Sequence, residues 1–541
     1  MTSRTDRPFA SSPRRRRFLA GLGALAVTPL VPGCGGGGSD AGGGPTIPAG
    51  PTVPPAAGVA GPAWWGFGRD ARHSAVSAIA TQDLNRIAWR TPLDLAPQYH
   101  GSALLTHYGS PVITSNNTVV LPVKTGAAGG FRIEARSGVN GGPIWSAPID
   151  YVLPPHNWIP SVNLALTTGN RLYAPGAGGK LLVKADADSP SGALQTMVFF
   201  GAAAYAAAPA TYDACVFINT PITVDAGGNV FFGFVVTAAN PAGLESGLAR
   251  IGGDGTGSWV SARLVSGDSG VAKVATNSAP ALSPDLATLY VAVNANPAAG
   301  TVQGGYLLAL DSASLALQSQ VLLIDPGNGT TFARVSDDGT ASPTVGPDGH
   351  VYFGVLETVF GTHNGRGWLL HFDATLATSF APGGFGWDDT ASIVDASLVP
   401  SYTGSSPYLL MVKYNNYRGA GSGDGANKVA VIDPGATQVD PISGRPIMKE
   451  VLTLLGPTFE SGNSGPVVEW CINTAAVDPF TKSVLVNSED GFLYRWDLAS
   501  NTASQRIRLT SGIGESYTPT AVGADGAVYA VNNAVLFSIA R

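Results

Sequence analysis

The chain repeats itself. From residue 64 onward a unit of ~45–80 residues recurs, with a small residue and often Pro at its opening, then a turn, an apolar strand rich in Tyr or Val, and a Gly followed by an alternating strand that often ends in Asp. The clearest copies are Ser342-Pro343-Thr344-Val345 with Asp348-Gly349-His350-Val351-Tyr352-Phe353, and Thr518-Pro519-Thr520-Ala521-Val522 with Asp525-Gly526-Ala527-Val528-Tyr529. Further openings stand at Ser110-Pro111, Ile159-Pro160, Thr220-Pro221, Ala279-Pro280, Ala391-Ser392 and Thr474-Ala475, which makes eight. A third-strand element returns as Gly305-Tyr306-Leu307-Leu308-Ala309-Leu310-Asp311, Gly367-Trp368-Leu369-Leu370-His371-Phe372-Asp373 and Gly491-Phe492-Leu493-Tyr494-Arg495-Trp496-Asp497. Period-two alternation between Asp-Gly turns signals hairpins. Composition agrees: 70 Gly and 40 Pro punctuate many turns, and charged residues are only 13%, about half the usual ~25%. Four short strands per unit, repeated radially, predict an all-β chain: an eight-bladed β-propeller of four-stranded blades over residues 63–541.

A ring must close. The C-terminal unit supplies three strands, near 518–522, 527–531 and 535–539, and then the chain ends. Arg86-Ile87-Ala88-Trp89-Arg90 is an orphan strand ahead of the first opening. Pairing it beside the last strand completes the eighth blade and removes an exposed edge. A pair of β-sandwiches would leave both the spacing and the orphan strand unexplained.

The N-terminus reads as an address. Residues 1–33 carry Arg4, Arg7, Arg14, Arg15, Arg16 and Arg17, and Arg15-Arg16-Arg17-Phe18-Leu19 fits the twin-arginine pattern R-R-x-F-L. Residues 18–31 form an apolar run of 14, too short for the ~20 residues that cross a bilayer, so the segment is expected to be an export signal. Gly33-Cys34 then resembles a bacterial lipobox, although Pro32 departs from its usual Ala or Ser, and Cys34 is the expected lipidated residue. Residues 34–62, rich in Gly and Pro, are expected to be a tether. Without the leader 25 basic and 36 acidic residues remain, a charge of −11 that argues against nucleic acid as a partner.

Cys215 and Cys471 precede the third and seventh openings and would face each other across an eight-membered ring. A disulfide needs their Cα atoms within ~7 Å, less than a central channel normally leaves, so two buried thiols are expected. Gly267-Asp268-Ser269-Gly270 and Gly462-Asn463-Ser464-Gly465-Pro466 look like serine-nucleophile motifs but fall between blades, where such residues form turns. No short zinc or calcium spacing is present, so no metal site is expected.

The units resemble the pyrroloquinoline-quinone-type propeller repeat: a small-Pro strand, a Val/Leu-Tyr-Val strand, Gly-x-Leu-x-Ala-Leu-Asp and a Trp-bearing outer strand. Trp64-Trp65-Gly66-Phe67-Gly68-Arg69-Asp70 with His73-Ser74 looks like the segment that opens such propellers. The family holds quinone-dependent alcohol dehydrogenases and a non-catalytic outer-membrane lipoprotein that scaffolds β-barrel assembly. The resemblance implies the fold. A quinone cofactor is implied by resemblance only, because the adjacent cysteine pair and the haem motif of the dehydrogenases are missing.

Residues just before each opening should converge at one mouth of the channel. They are His107, His156, Trp158, Asn219, Asn277, Asp338, Asp388, Asp389, Glu469, Trp470, Asn473, Glu515 and Tyr517. Acids, amides, imidazoles and aromatics in a ring could hold a sugar, a cation or a cyclic cofactor, or could simply cap turns. The expected function is an exported, lipid-anchored binding or scaffold module in the periplasm, outer membrane or cell surface, with a protein or envelope polymer as partner. The alternative is an enzyme at the mouth, either a quinone-dependent oxidoreductase or a polysaccharide lyase or hydrolase.

Overall fold

Second strands such as Thr118–Lys124 are buried along their whole length, whereas outer strands such as Pro143–Ile149 alternate between exposed and half-buried. That gradient is what blades standing face to face impose: the inner strands are sandwiched, and only the rim meets water. The computed structural model describes residues 61–101, 103–156, 158–295, 304–337, 341–358, 367–414, 426–459, 467–470, 472–512, 514–516 and 519–541. The leader, Cys34, most of the tether, Asp338, Cys471, Tyr517 and the motif at 462–466 lie outside these residues.

Eight antiparallel sheets follow one another among the described residues, one per predicted opening. Their inner strands begin at Val112, Ala165, Thr223, Ala281, Thr344, Ser392, Ala476 and Thr520. Inner strands of blades two and three, four and five, six and seven, and seven and eight lie side by side. The predicted closure is present. Arg86–Pro92 pairs antiparallel with Val535–Ala540, with Arg86 opposite Ala540 and Pro92 opposite Val535, so the first strand of the ring completes the last blade.

Three features are not written in the repeat. Among the described residues blade five has three strands, and the segment that follows meets its rim through bridges from Leu369 to Gly383 and from Phe372 to Ser379. Blade six carries a long hairpin, Lys428–Val439 with Pro446–Leu455. Two short helices, Ala202–Ala207 and Pro209–Cys215, separate blades two and three.

A further feature lies on the axis. Residues 64–82 form a strap that bonds to the downstream ends of the inner strands, one blade after another. Trp64 and Ile113 exchange backbone bonds in blade one, and Leu166 N–H donates to Trp65 O in blade two. Leu282, Val345 and Ile393 N–H donate to Ala71, Arg72 and Ser74 O in blades four, five and six. Val477 N–H donates to Ala75 O in blade seven, and Gln82 N–H donates to Gly526 O in blade eight. In blade three, Gly66 lies alongside the chain, where a Cβ would be in ordinary contact with Ile222 O at 3.6 Å. Left-handed backbone at Arg69, His73 and Ala75 bends the strap round the circle. Asp70 pins the bend by accepting from Arg72 N–H (3.0 Å), Ser74 N–H (3.1 Å) and the Ser74 hydroxyl.

Candidate functional site

Each inner strand runs from the mouth toward the strap, so residues before the openings gather at the end opposite the strap. There they bond blade to blade. The strand Ala103–His107 pairs in parallel with Gly514–Ser516, joining blades eight and one, and His107 N–H donates to Ile159 O of blade two (2.9 Å). Ser110 N–H donates to Asn163 Oδ1 (3.1 Å), Ser161 N–H to Asn277 Oδ1 (3.0 Å), and Asn277 N–H to Asn219 O (2.9 Å). Ala279 N–H donates to Ser342 Oγ, Ser342 N–H to Thr390 Oγ1 (each 2.9 Å), and Thr390 N–H to Asn473 O (3.0 Å). Much of the predicted ring is therefore a latch that ties neighbouring blades.

Individual residues divide accordingly. His107 is buried, its Nδ1–H donates to Ile159 O (3.1 Å), and burial holds its imidazole neutral with a pKa of about 3. Trp158 is half-buried, with its ring centroid 5.8 Å from that of His107. His156 is exposed and donates locally to Pro154 O. Glu469 is half-buried, and its carbonyl accepts from Glu489 N–H. Trp470 is packed in the core, its ring centroid 5.4 Å from that of Tyr494. Asn473 Oδ1 accepts from the Thr474 hydroxyl. Glu515 lies in the short strand beside His107.

Asp388 and Asp389 stand in an unusual corner. The segment from Gly383 to Asp389 lies flat on blade five because glycines let the backbones touch: a Cβ at Gly386 would stand 2.1 Å from Trp368 O, and one at Gly354 would stand 2.0 Å from Gly386 O. Asp388 is left-handed (φ 60°), a conformation that costs a non-glycine residue free energy. Asp389 is 1% exposed; its Oδ2 accepts from Lys413 N–H (3.1 Å), and its Oδ1 has no partner. Burial pushes this carboxyl up to about 7 against the pull of Lys413.

Across a narrow cavity from this corner lies blade four. Lys273 Nζ is paired with Asp337 (2.5 Å) and donates to Thr276 Oγ1 (3.1 Å). Asn294 Nδ2 also donates to Asp337 (3.0 Å), and Asn219 Nδ2 reaches Val274 O (2.8 Å). Thr276, Ser278, Arg334, Trp387 and Asp388 line the cavity. The sequence reading missed Lys273, Asn294, Ser278 and Trp387. One signal was available: Lys124, Asn294, Lys413, Asn487 and Asn532 are single polar residues at or next to the mouth end of otherwise apolar second strands, and all are buried.

A quinone with its calcium ion would need acid and amide ligands at the mouth, and the dehydrogenases add a disulfide over the ring. Cys215 is a buried free thiol, and among the described residues no three His, Cys, Asp or Glu side chains gather to hold a metal ion.

No family model and no curated protein matches the sequence. Among solved structures the chain is similar to a europium-containing methanol dehydrogenase, at 10% identity over 87% of this chain and 89% of that one (TM-score 0.49). It is similar to the quinohemoprotein alcohol dehydrogenase of Comamonas testosteroni, at 12% identity over 88% and 80% (0.49). It is also similar to BamB of Moraxella catarrhalis, at 12% identity over 84% and 99% (0.39).

Proposed function

We propose that the chain is exported by its arginine-rich leader, held on a lipid at Cys34 by the 34–62 tether, and acts in the cell envelope as a binding or scaffold module. Its recognition face is the channel mouth, and its partner is a protein or an envelope polymer. One observation supports the choice of face. The strap bonds to the inner strands at the opposite end of the axis, so the mouth is the end at which the described inner strands are not bonded to it.

Two measurements test this reading. Cys34→Ser should move the protein from the membrane to the soluble fraction; retention after a salt wash would remove the anchor from the proposal. A photo-crosslinking residue at position 158, at the mouth, should capture envelope material in cells. The same residue at position 480, exposed on the turn between Ala476–Asp478 and Ser483–Asn487, should not. Capture from position 480 alone would overturn the choice of face.

The second reading is an enzyme at the mouth, and Asp389 favours it. A carboxyl with a pKa near 7 is suited to exchanging protons at neutral pH. Product release from a polysaccharide panel, or a new absorbance band on adding quinone and calcium, would favour that alternative.

A further inference from the structure

We propose that residues 53–60, the last part of the proline-rich tether, dock in a groove on the rim between blades two and three. The groove has a volume of about 670 Å³, within the range of pockets that hold a ligand. The outer strands Gln195–Met197 of blade two and Gly257–Ser261 of blade three form its sides. Buried Phe199 and half-buried Met197, Phe200 and Trp259 give it an apolar surface. The core holds these rings in place: Phe199 meets Phe200 edge to face at 5.0 Å, Phe200 packs on Tyr212 at 4.7 Å, and Trp259 meets Phe234 at 6.0 Å.

The place where the described chain begins selects the occupant. A Cβ at Gly61 would stand 3.4 Å from Thr168 Cα, and Pro62 O accepts from Trp65 Nε1–H (2.8 Å), so the chain enters over the turn 167–171 of blade two. Arg171 closes that turn, its N–H donating to Thr167 Oγ1 (3.2 Å), and its guanidinium reaches Met197 Sδ (3.9 Å) on the groove wall. One arginine side chain thus separates the entry point from the groove. Eight residues in an extended proline-type helix span about 25 Å, more than that side chain bridges.

The chemistry of groove and segment agrees. The groove lining holds no charged residue, its polar side chains besides the indole are Thr196 and Ser258, and no charged residue stands between Asp40 and Arg69 in the sequence. Val53-Pro54-Pro55-Ala56-Ala57-Gly58-Val59-Ala60 offers small apolar side chains and, at its prolines, carbonyls without N–H groups. The half-buried indole of Trp259 has no hydrogen-bond partner for its N–H among the described residues, so it offers such a carbonyl a donor. Aromatic grooves take proline-rich segments in this way, because proline has little backbone freedom to lose on docking. Docking leaves residues 34–52 as the spacer to Cys34, and it does not depend on what the mouth recognises.

The test is photo-crosslinking within the intact chain carrying Cys34→Ser, with benzoylphenylalanine in place of Ala57 and the links mapped by mass spectrometry. Most links should fall on residues 196–202 and 255–259 of the same chain. Pro54→Gly with Pro55→Gly alters only the segment, and Trp259→Leu alters only the groove; melting curves check that both variants fold. Each should lower the yield of groove links about tenfold, the loss expected on removing one well-packed anchor. Links spread over the surface, or groove links unchanged in both variants, would overturn the proposal. Links between two chains, with a yield that rises with protein concentration, would assign the groove to a second copy and overturn docking within one chain. Benzoylphenylalanine at position 200, in cells, should recover the chain's own residues 53–60; recovery of another protein in their place would also overturn it.

Discussion

Trp89 tests how the ring is sealed. It sits on Arg86–Pro92, the strand that the N-terminus contributes to the last blade, and its side chain is buried. Its indole N–H donates to Gly138 O of blade one (2.8 Å), and its ring lies 5.7 Å from Tyr529 of blade eight. Gly141 approaches so closely that a Cβ there would stand 2.7 Å from the indole. One side chain therefore joins the first blade to the last.

Trp89→Ala should cost about 3–5 kcal/mol, the range for removing a buried Trp side chain. The lost hydrogen bond adds little, because the Tyr529 hydroxyl also donates to Gly138 O (3.2 Å) and the carbonyl keeps a partner. Against a total stability of about 5–15 kcal/mol, such a loss is large. Trp145→Ala is the control. Trp145 is half-buried on an outer strand, bonded to Ala187 O (2.7 Å) with Lys184 Nζ 4.8 Å from its ring centre, and should cost about 1–2 kcal/mol. Urea unfolding followed by far-ultraviolet circular dichroism reads both. A Trp89→Ala loss below 1 kcal/mol, or one no larger than that of Trp145→Ala, would refute the seam.

Asp389→Asn should change how stability varies with pH. A carboxyl held near 7 in the fold takes up a proton on folding, so wild-type stability should fall as pH rises from about 4 to about 7 and then level off. The variant lacks that loss and should gain, relative to wild type, up to about 4 kcal/mol at pH 8, from roughly three units at 1.36 kcal/mol each; parallel stability curves would refute it. Arg495 Nη1 donates to Thr81 Oγ1 (2.7 Å) and Ser483 Oγ (2.9 Å) and faces buried Asp478, so Arg495→Met should destabilise by about 3–5 kcal/mol and speed proteolytic cleavage of the strap. Cys215 should react with a thiol reagent only after denaturation, because it is buried and burial pushes its thiol pKa up; rapid reaction in the native protein would contradict that placement.

The repeat was legible because each blade must bury both faces of its middle strands, which writes long apolar runs such as Thr118–Lys124 between turns. The Asp-Gly pairs at 348–349, 490–491 and 525–526 are turns with left-handed glycines, as their spacing indicated. The orphan strand was legible because a ring cannot close with three strands in its last blade. Opaque instead was whatever depends on contacts between distant residues. The strap reads in sequence as a loop without periodicity, since its hydrogen-bond partners are spread over seven blades from Ile113 to Gly526. Blade five lost its outer strand because segment 383–389 is pressed against the sheet through glycines, which a repeat count registers only as spacing. At the mouth, position relative to the openings found Asp389, Asn219 and Asn277. It could not distinguish a latch such as Asn473 from an atom left unpaired, and it placed Trp470 at the mouth when that side chain packs in the core.

The two ends of the axis hold buried carboxylates in different ways, and the contrast separates structure from function. At the strap end, Asp478 accepts from the backbone of Phe480, Thr481 and Thr81, and both of its oxygens are used. Asp70 is likewise bonded through both oxygens. Full satisfaction is what a purely structural buried charge requires, because its desolvation is otherwise uncompensated. At the mouth, Asp389 is as deeply buried but bonds through one oxygen, follows a left-handed Asp388, and lies beside Trp387, whose N–H is unpaired. Unpaired buried atoms and left-handed residues occur at both ends, Trp64 Nε1, Arg69 Nε and the bends at Arg69, His73 and Ala75 among them on the strap, so neither separates the two ends. What separates them is the carboxyl: Asp70 and Asp478 are bonded through both oxygens, and Asp389 through one.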